Sequence, residues 1–177
     1  DEIYAQLPRN NDIDEFVWQK LRLLRMLPSP PASEATWHRR TYLRAIGRLP
    51  TPDETRQFLV NPNPNKQSDL IDQLLQRPEY ADFWANKWAD LLRPNPFRAG
   101  MKAVWTLDAW LRESFRENKP YDQFTRELIS PTADSEGFIK GIKWRGNVNA
   151  SQVVELQFSQ NVAQVFFGAN LKCASCH

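Results

Sequence analysis

The chain has 177 residues, 41% apolar and 25% charged, with a formal net charge of +2. That is enough for one domain with a sizeable core, and the composition is ordinary for a globular protein. So small a net charge removes the electrostatic case for nucleic acid as a partner, and no apolar run reaches bilayer-spanning length.

The first residues, Asp1-Glu2-Ile3-Tyr4, lack the basic and apolar regions of a signal peptide, so if the protein is exported this chain is expected to be mature or trimmed. Thirteen Pro against 6 Gly fit short helices stopped and restarted by proline better than a sheet built on glycine turns. The 2 Cys both lie in the last five residues, which excludes a disulfide framework between distant segments.

Helical periodicity dominates from the start. Asp12 or Asp14 is placed to cap a first helix with Ile13, Phe16, Val17, Leu21 and Leu24 on one face, ending before Pro28. Met26 falls in that leucine-rich stretch and reads as core. Ser33 caps a second helix with Trp37, Tyr42, Leu43 and Ile46 apolar, closed by Gly47 and Pro50. His38, flanked by Trp37 and Arg39-Arg40, reads as part of a solvated face.

Thr51-Pro52-Asp53-Glu54 is the clearest local signal: an N-cap, a proline at the first helical position and a capping-box glutamate. Phe58 and Leu59 follow, and then Asn61-Pro62-Asn63-Pro64-Asn65 has no helical option. Leu70, Ile71, Leu74 and Leu75 mark the next helix. Pro78 begins another, with Tyr80, Phe83, Trp84, Trp88, Leu91 and Leu92 in a broad apolar stripe broken by Pro94-Asn95-Pro96.

The segment Phe97–Lys102 reads as a loop and 104–117 as a helix with Leu107, Trp110, Leu111 and Phe115 inward. Pro120 or Tyr121 opens a shorter helix ending near Ile129. Periodicity fails over Ser130–Asn149, which predicts a long loop with an extended piece at Phe138–Ile142. A last helix runs from about Ala150 to Gly168. The whole is an all-α, irregular multi-helix domain over 1–177, its short helices punctuated by proline.

Chemistry concentrates at the end, in Cys173-Ala174-Ser175-Cys176-His177. Two Cys separated by two residues put both sulfurs on one side of a helical turn, at the spacing of porphyrin vinyl groups. The next residue, His177, then serves as proximal iron ligand. This is a c-type haem attachment motif, with Cys173 and Cys176 as thioether sulfurs and His177 on the iron. Three other readings stay open: a redox dithiol, which expects a βαβ context; a zinc site, which lacks a second Cys/His cluster; and a Cys173–Cys176 disulfide. For the sixth iron position the candidates are His38, Met26 and Met101, with Met101 the freest to move, and the main alternative is an open or externally supplied position.

Trp84, Trp88, Trp105 and Trp110 have helical spacing and read as core, whereas Trp144 in Lys143-Trp144-Arg145-Gly146 reads as a surface or pocket residue. Asp14/Glu15 and Asp53/Glu54 read as helix-start charges. With only 2 His, no Ser/His/Asp set can be assembled beside the motif, and no glycine-rich phosphate loop occurs.

Taken in order, several segments resemble a known family. They are Ile13–Leu21, Leu49–Glu54, Pro78-Glu79-Tyr80 with Trp84-Ala85-Asn86-Lys87-Trp88, Asn118–Phe124 and Phe167–His177. The family is the domain of unknown function that accompanies planctomycete-type cytochrome c domains in large exported proteins. The resemblance implies an exported cell-envelope or periplasmic protein with a haem-type motif, but no reaction. In that family the chain continues past the motif with another His and further domains, so this chain is expected to be part of a longer polypeptide.

Two functions follow as expectations. One is a haem c protein that transfers electrons, or the haem-carrying part of an oxidoreductase, working with a redox partner or with further chains or domains. The other is a non-redox structural or interaction module of a large envelope assembly in which Cys173 and Cys176 form a disulfide and Trp144 with the Ser130–Asn149 loop contacts a partner chain or a glycan.

Overall fold

A computed structural model of the chain describes residues 2–142 and 153–171. Among the described residues there are eleven helices and no strand, in agreement with the all-α reading. They fall into two compact units, 1–37 and 38–177.

The first unit holds α1 (Glu2–Ala5) and α2 (Asp12–Leu23). The α2 cap is Asn11 rather than Asp12 or Asp14, because the Asn11 carboxamide oxygen accepts from the Ile13 and Asp14 amides at 2.9 and 3.3 Å. Asp14 instead accepts from the Asn10 amide at 2.7 Å. No residue of α2 is buried, so its apolar stripe exists as a pattern without a core to match. Arg25 takes φ +54° beyond the helix end, and the Met26 amide returns to the Leu21 carbonyl at 2.9 Å. Met26 therefore lies outside the helix and exposed, not in a core.

The division between units falls within α3 (Glu34–Ile46), whose N-terminus is held by Ser33: its hydroxyl accepts from the Thr36 amide at 3.3 Å. Gly47 ends α3 at φ +71°, and a Cβ there would stand 2.2 Å from the Phe83 ring, so both the backbone and the packing require glycine. The capping box of α4 (Pro52–Val60) forms as the sequence predicts, with Thr51 Oγ1 accepting from the Glu54 amide and Glu54 accepting from the Thr51 amide. The asparagine–proline loop is likewise non-helical, its turns closed by Asn61 and Asn63 side chains accepting from the amides two residues on.

Helices α5 (Lys66–Leu75), α6 (Pro78–Leu92), α7 (Pro96–Ala99), α8 (Met101–Arg116), α9 (Tyr121–Ile129), α10 (Gly137–Gly141) and α11 (Val154–Phe167) complete the unit. The most extensive helix pairing is α6 against α8. On α6 the fully buried positions include the small Ala81 and Ala85, while Leu91 is exposed. Small side chains at these positions let the helix axes approach, while Leu92 of the same helix shares the core with Leu107 and Leu111 and the Tyr80 ring meets Phe115 edge-on at 6.5 Å. The core gathers Ala85, Leu92, Leu107, Trp110, Leu111, Phe124, Leu128 and Phe138, with Val162, Val165 and Phe166 of α11 packed on it. Trp110 stacks on Phe124 at 5.0 Å and its indole donates to Glu127 at 2.9 Å, which gives the buried N–H a partner.

Three expectations need correction here. Helix α8 begins at Met101, not near 104, because Gly100 (φ +85°) turns the chain directly from α7 into it. Phe138–Ile142 is a short helix rather than an extended piece: Gly137 lets α10 settle onto α8 and buries Phe138 among its side chains. Trp105 is 68% exposed and not core, since it lies on the outer side of α8 from Leu107 and Leu111. Trp144 and the rest of 143–152 lie outside the described residues.

Candidate functional site

Cys173, Cys176 and His177 also lie outside the described residues, and the structure ends its account of the chain at Leu171. What it describes is the support that leads to them. Helix α11 stops at Gly168, which adopts φ +63°, and the Ala169 amide donates back to the Ala163 carbonyl at 3.1 Å. This left-handed C-cap is one that only glycine adopts without strain. Since α11 is packed on the core through Val162, Val165 and Phe166, the segment carrying the motif leaves from an anchored point.

The three candidates for the sixth iron position fall in different settings. Met26 is exposed in the first unit. Met101 is the first residue of α8, half exposed, rather than part of a free loop. His38 departs furthest from expectation. Instead of a solvated face it occupies the buried face of α3, 1% exposed, in register with Tyr42 and Ile46 at four-residue spacing. Its ring stacks on Phe58 at 4.5 Å and tilts against Tyr42 at 4.9 Å. The adjacent Arg39 and Arg40 are exposed, so the charge around His38 belongs to a neighbouring strip of the helix.

Around His38 the second unit builds a polar cluster that sequence reading did not assemble. Glu54 is its hub. Its carboxylate accepts from Arg77 at 2.7 Å, from Arg48 at 3.0 and 3.2 Å, and from the Thr51 amide at 2.7 Å. Arg48 also pairs with Glu79 at 3.5 Å, and the Arg48 and Arg77 guanidinium groups lie over the Tyr42 ring. Burial by itself raises the Glu54 pKa, but the hydrogen bonds from Arg48, Thr51 and Arg77 outweigh it and hold the carboxyl well below the usual carboxylate range. Burial pushes the Tyr42 phenol up, reinforced by the Glu54 charge. It pushes His38 down, against a smaller opposing pull from Glu54, which leaves a neutral imidazole at pH 7.

A cavity of about 220 Å³ opens beside this cluster, walled by α3, α4, α5 and Arg77. Both ring nitrogens of His38 and Nη1 of Arg77 are buried without a hydrogen-bond partner, and both residues line that cavity. The signal for this site was present in the sequence only in part. The capping box placed Glu54, but Arg48 and Arg77 reach it from 6 and 23 residues away.

The depressed Glu54 pKa has a measurable consequence. A carboxyl with a lower pKa folded than unfolded stabilises fully above its unfolded value and loses that contribution as pH falls toward the folded value. Glu54→Gln is expected to cost about 2 kcal/mol at pH 7, the low end for charge-assisted hydrogen bonds because the partners are partly exposed. In urea unfolding, the gap between variant and parent should shrink once pH drops below about 4.3. A gap independent of pH would show that the charge of Glu54 is not what stabilises.

Among the described residues no group of three His, Cys, Asp or Glu side chains is arranged to hold a metal ion, and no helix is long and apolar enough to cross a membrane. No curated protein and no solved structure matches the chain. A family model described as PSCyt2, protein of unknown function (DUF1549), matches residues 12–177.

Proposed function

Because the chain belongs to the PSCyt2 family, whose function is unknown, its role rests on its own residues, and we propose that it is a c-type haem protein of the cell envelope that passes electrons to a partner. The observation that carries this is the order of donors in Cys173-Ala174-Ser175-Cys176-His177, inside the span that the family model covers. Two thiols and one imidazole at this spacing are the donor set that haem c takes. Cys173 and Cys176 would hold the porphyrin and His177 the iron. A haem bound there would supply one-electron chemistry.

The chain's own contribution is support and placement. Helix α11, anchored on the core and stopped by Gly168, delivers the motif from a fixed end. Phe167 and Leu171 are exposed there, apolar surface suited to cover part of a porphyrin. Met101 is the thioether we put forward as a further ligand that would hold the iron. Thioether attachment needs reduced thiols and an export route, which puts the protein in the periplasm or envelope. Its redox partner is a further chain or a further domain of the same polypeptide, met through the small, transient interface that electron transfer requires.

Purified from a host that matures c-type cytochromes, the full chain should show a Soret band, and its haem should stay with the polypeptide after acid denaturation. A colourless protein with the mass of the bare polypeptide removes the reading. In the same preparation, Met101→Ala should convert a low-spin spectrum to high spin. An unchanged spectrum takes Met101 out of the site.

A further inference from the structure

We propose that the corner where α7 meets α8 docks onto the surface of an anionic phospholipid bilayer. This stands apart from the haem reading and does not depend on it.

Gly100 makes the corner. At φ +85° it turns the chain from the last residue of α7 straight into α8, and nothing lies within 4 Å of where its Cβ would stand. Phe97, 96% exposed, and Trp105, 68% exposed, both lie within five residues of Gly100. Phenylalanine is among the residue types most often buried, and a ring left almost wholly free projects from the surface instead of lying in a groove. Leu91, at the end of α6, is exposed as well. Met101, one turn before Trp105 on α8, is not needed for the contact.

The charge at this corner has one sign. From Leu91 to Leu107 the chain carries Arg93, Arg98 and Lys102 and no Asp or Glu. None of the three cations has an ion-pair partner among the described residues. Of the two acids that bracket the segment, Asp108 is held by Arg112 at 2.8 Å, which leaves Asp90 against three cations. On α10, which packs against α7 and α8, Glu136 is paired with Lys140. The corner is therefore positive, although the whole chain has a net charge of only +2.

Projecting aromatic rings beside unpaired cations are the makeup of an interfacial anchor. The rings enter the boundary between headgroups and acyl chains, roughly 5–10 Å deep, and the cations meet lipid phosphates. A stable protein partner would need a complementary surface of about 800 Å² on each side, which the few side chains of one corner do not present. A bilayer asks for no matching shape, and it accepts a ring that stands out from the protein.

The test floats the full chain with mixed phosphatidylcholine–phosphatidylglycerol vesicles and with phosphatidylcholine vesicles alone. The chain should bind the mixed vesicles and be largely released by high salt. Arg98→Gln with Lys102→Gln should weaken that binding roughly twentyfold, about fivefold for each cation near an anionic surface. Phe97→Ser should weaken it at least about fivefold, since anchoring scales with the apolar area inserted. Val60→Ser, which removes an exposed apolar side chain on α4, should leave it unchanged. Brominated lipid in the vesicles should quench part of the tryptophan fluorescence. Trp105→Phe keeps a ring in place, so it should still bind but lose that quenching. All these side chains are exposed or partly so, and the helical circular dichroism of each variant should match the parent. The proposal is overturned if the parent binds no mixed vesicle, if Phe97→Ser or the double variant binds as tightly as the parent, or if the quenching persists in Trp105→Phe. Capture of soluble polyglutamate without vesicle binding would assign the corner to an acidic protein and overturn it equally.

Discussion

The chain with both Cys173 and Cys176 replaced by serine should carry no acid-stable haem, while the parent should carry a full complement. Each thioether is an independent covalent bond from one sulfur, so Cys173→Ser or Cys176→Ser alone should leave a single attachment, and the double variant none. His177→Ala separates attachment from ligation: it removes the imidazole but neither sulfur. It should retain covalent haem at reduced yield with a changed spectrum. The loss in the double variant is all-or-none, which makes it the largest effect expected for this protein. Haem that still resisted acid extraction in the double variant would place the attachment elsewhere. If instead the parent is colourless and its two thiols titrate only after reduction, Cys173 and Cys176 are a disulfide, and the motif serves a structural role.

The second large effect lies in the core, far from any chemistry. A Cβ at Gly137 would stand 2.5 Å from the Ala103 carbonyl oxygen and 2.9 Å from Leu107 Cβ. The first of these is backbone of α8, which cannot swing aside as a side chain can. Gly137→Ala must therefore push α10 away from α8 and loosen Phe138, which is buried against the same core. We expect a loss of about 2–3 kcal/mol in urea unfolding, the upper range for overpacking. Gly141, at the other end of the same helix, is the control: the nearest atom to an added Cβ is the Asn95 amide nitrogen at 4.0 Å. Gly141→Ala should be neutral or stabilising by a few tenths of a kcal/mol, since alanine reduces the freedom of the unfolded chain. Equal losses at the two glycines would mean that α10 does not pack as described.

Much of the architecture was legible because it is written in local chemistry. Thr51-Pro52-Asp53-Glu54 forms its capping box within four residues, and the Asn61–Asn65 loop closes on its own side chains. Pro78 starts α6 and Gly168 ends α11 for reasons internal to a helical turn. Where the reading failed, the deciding interaction was one that hydrophobic periodicity does not register. Asn11 outcompeted two neighbouring aspartates as a cap, because one of them, Asp14, was placed to accept from Asn10 instead. Trp105 has the spacing of a core residue, yet α6 covers the adjacent face of α8 and leaves it outside. The glycines of 137–141 looked like loop residues, because a glycine needed for close helix packing is indistinguishable in sequence from one needed for a turn.

The sequence by itself determined the helical class, most of the helix boundaries and the donor order Cys173, Cys176, His177, since each depends on residues within one or two turns of each other. Only the tertiary structure decided which apolar stripes become core, that Ala81 and Ala85 rather than Leu91 face inward, and that His38 is buried beside a cavity with Glu54, Arg48 and Arg77 close by. Burial is a property of two surfaces meeting. A helix carries the pattern of its own surface but no record of the partner, so His38 beside Arg39 and Arg40 reads as solvated until α4 lays Phe58 across its ring.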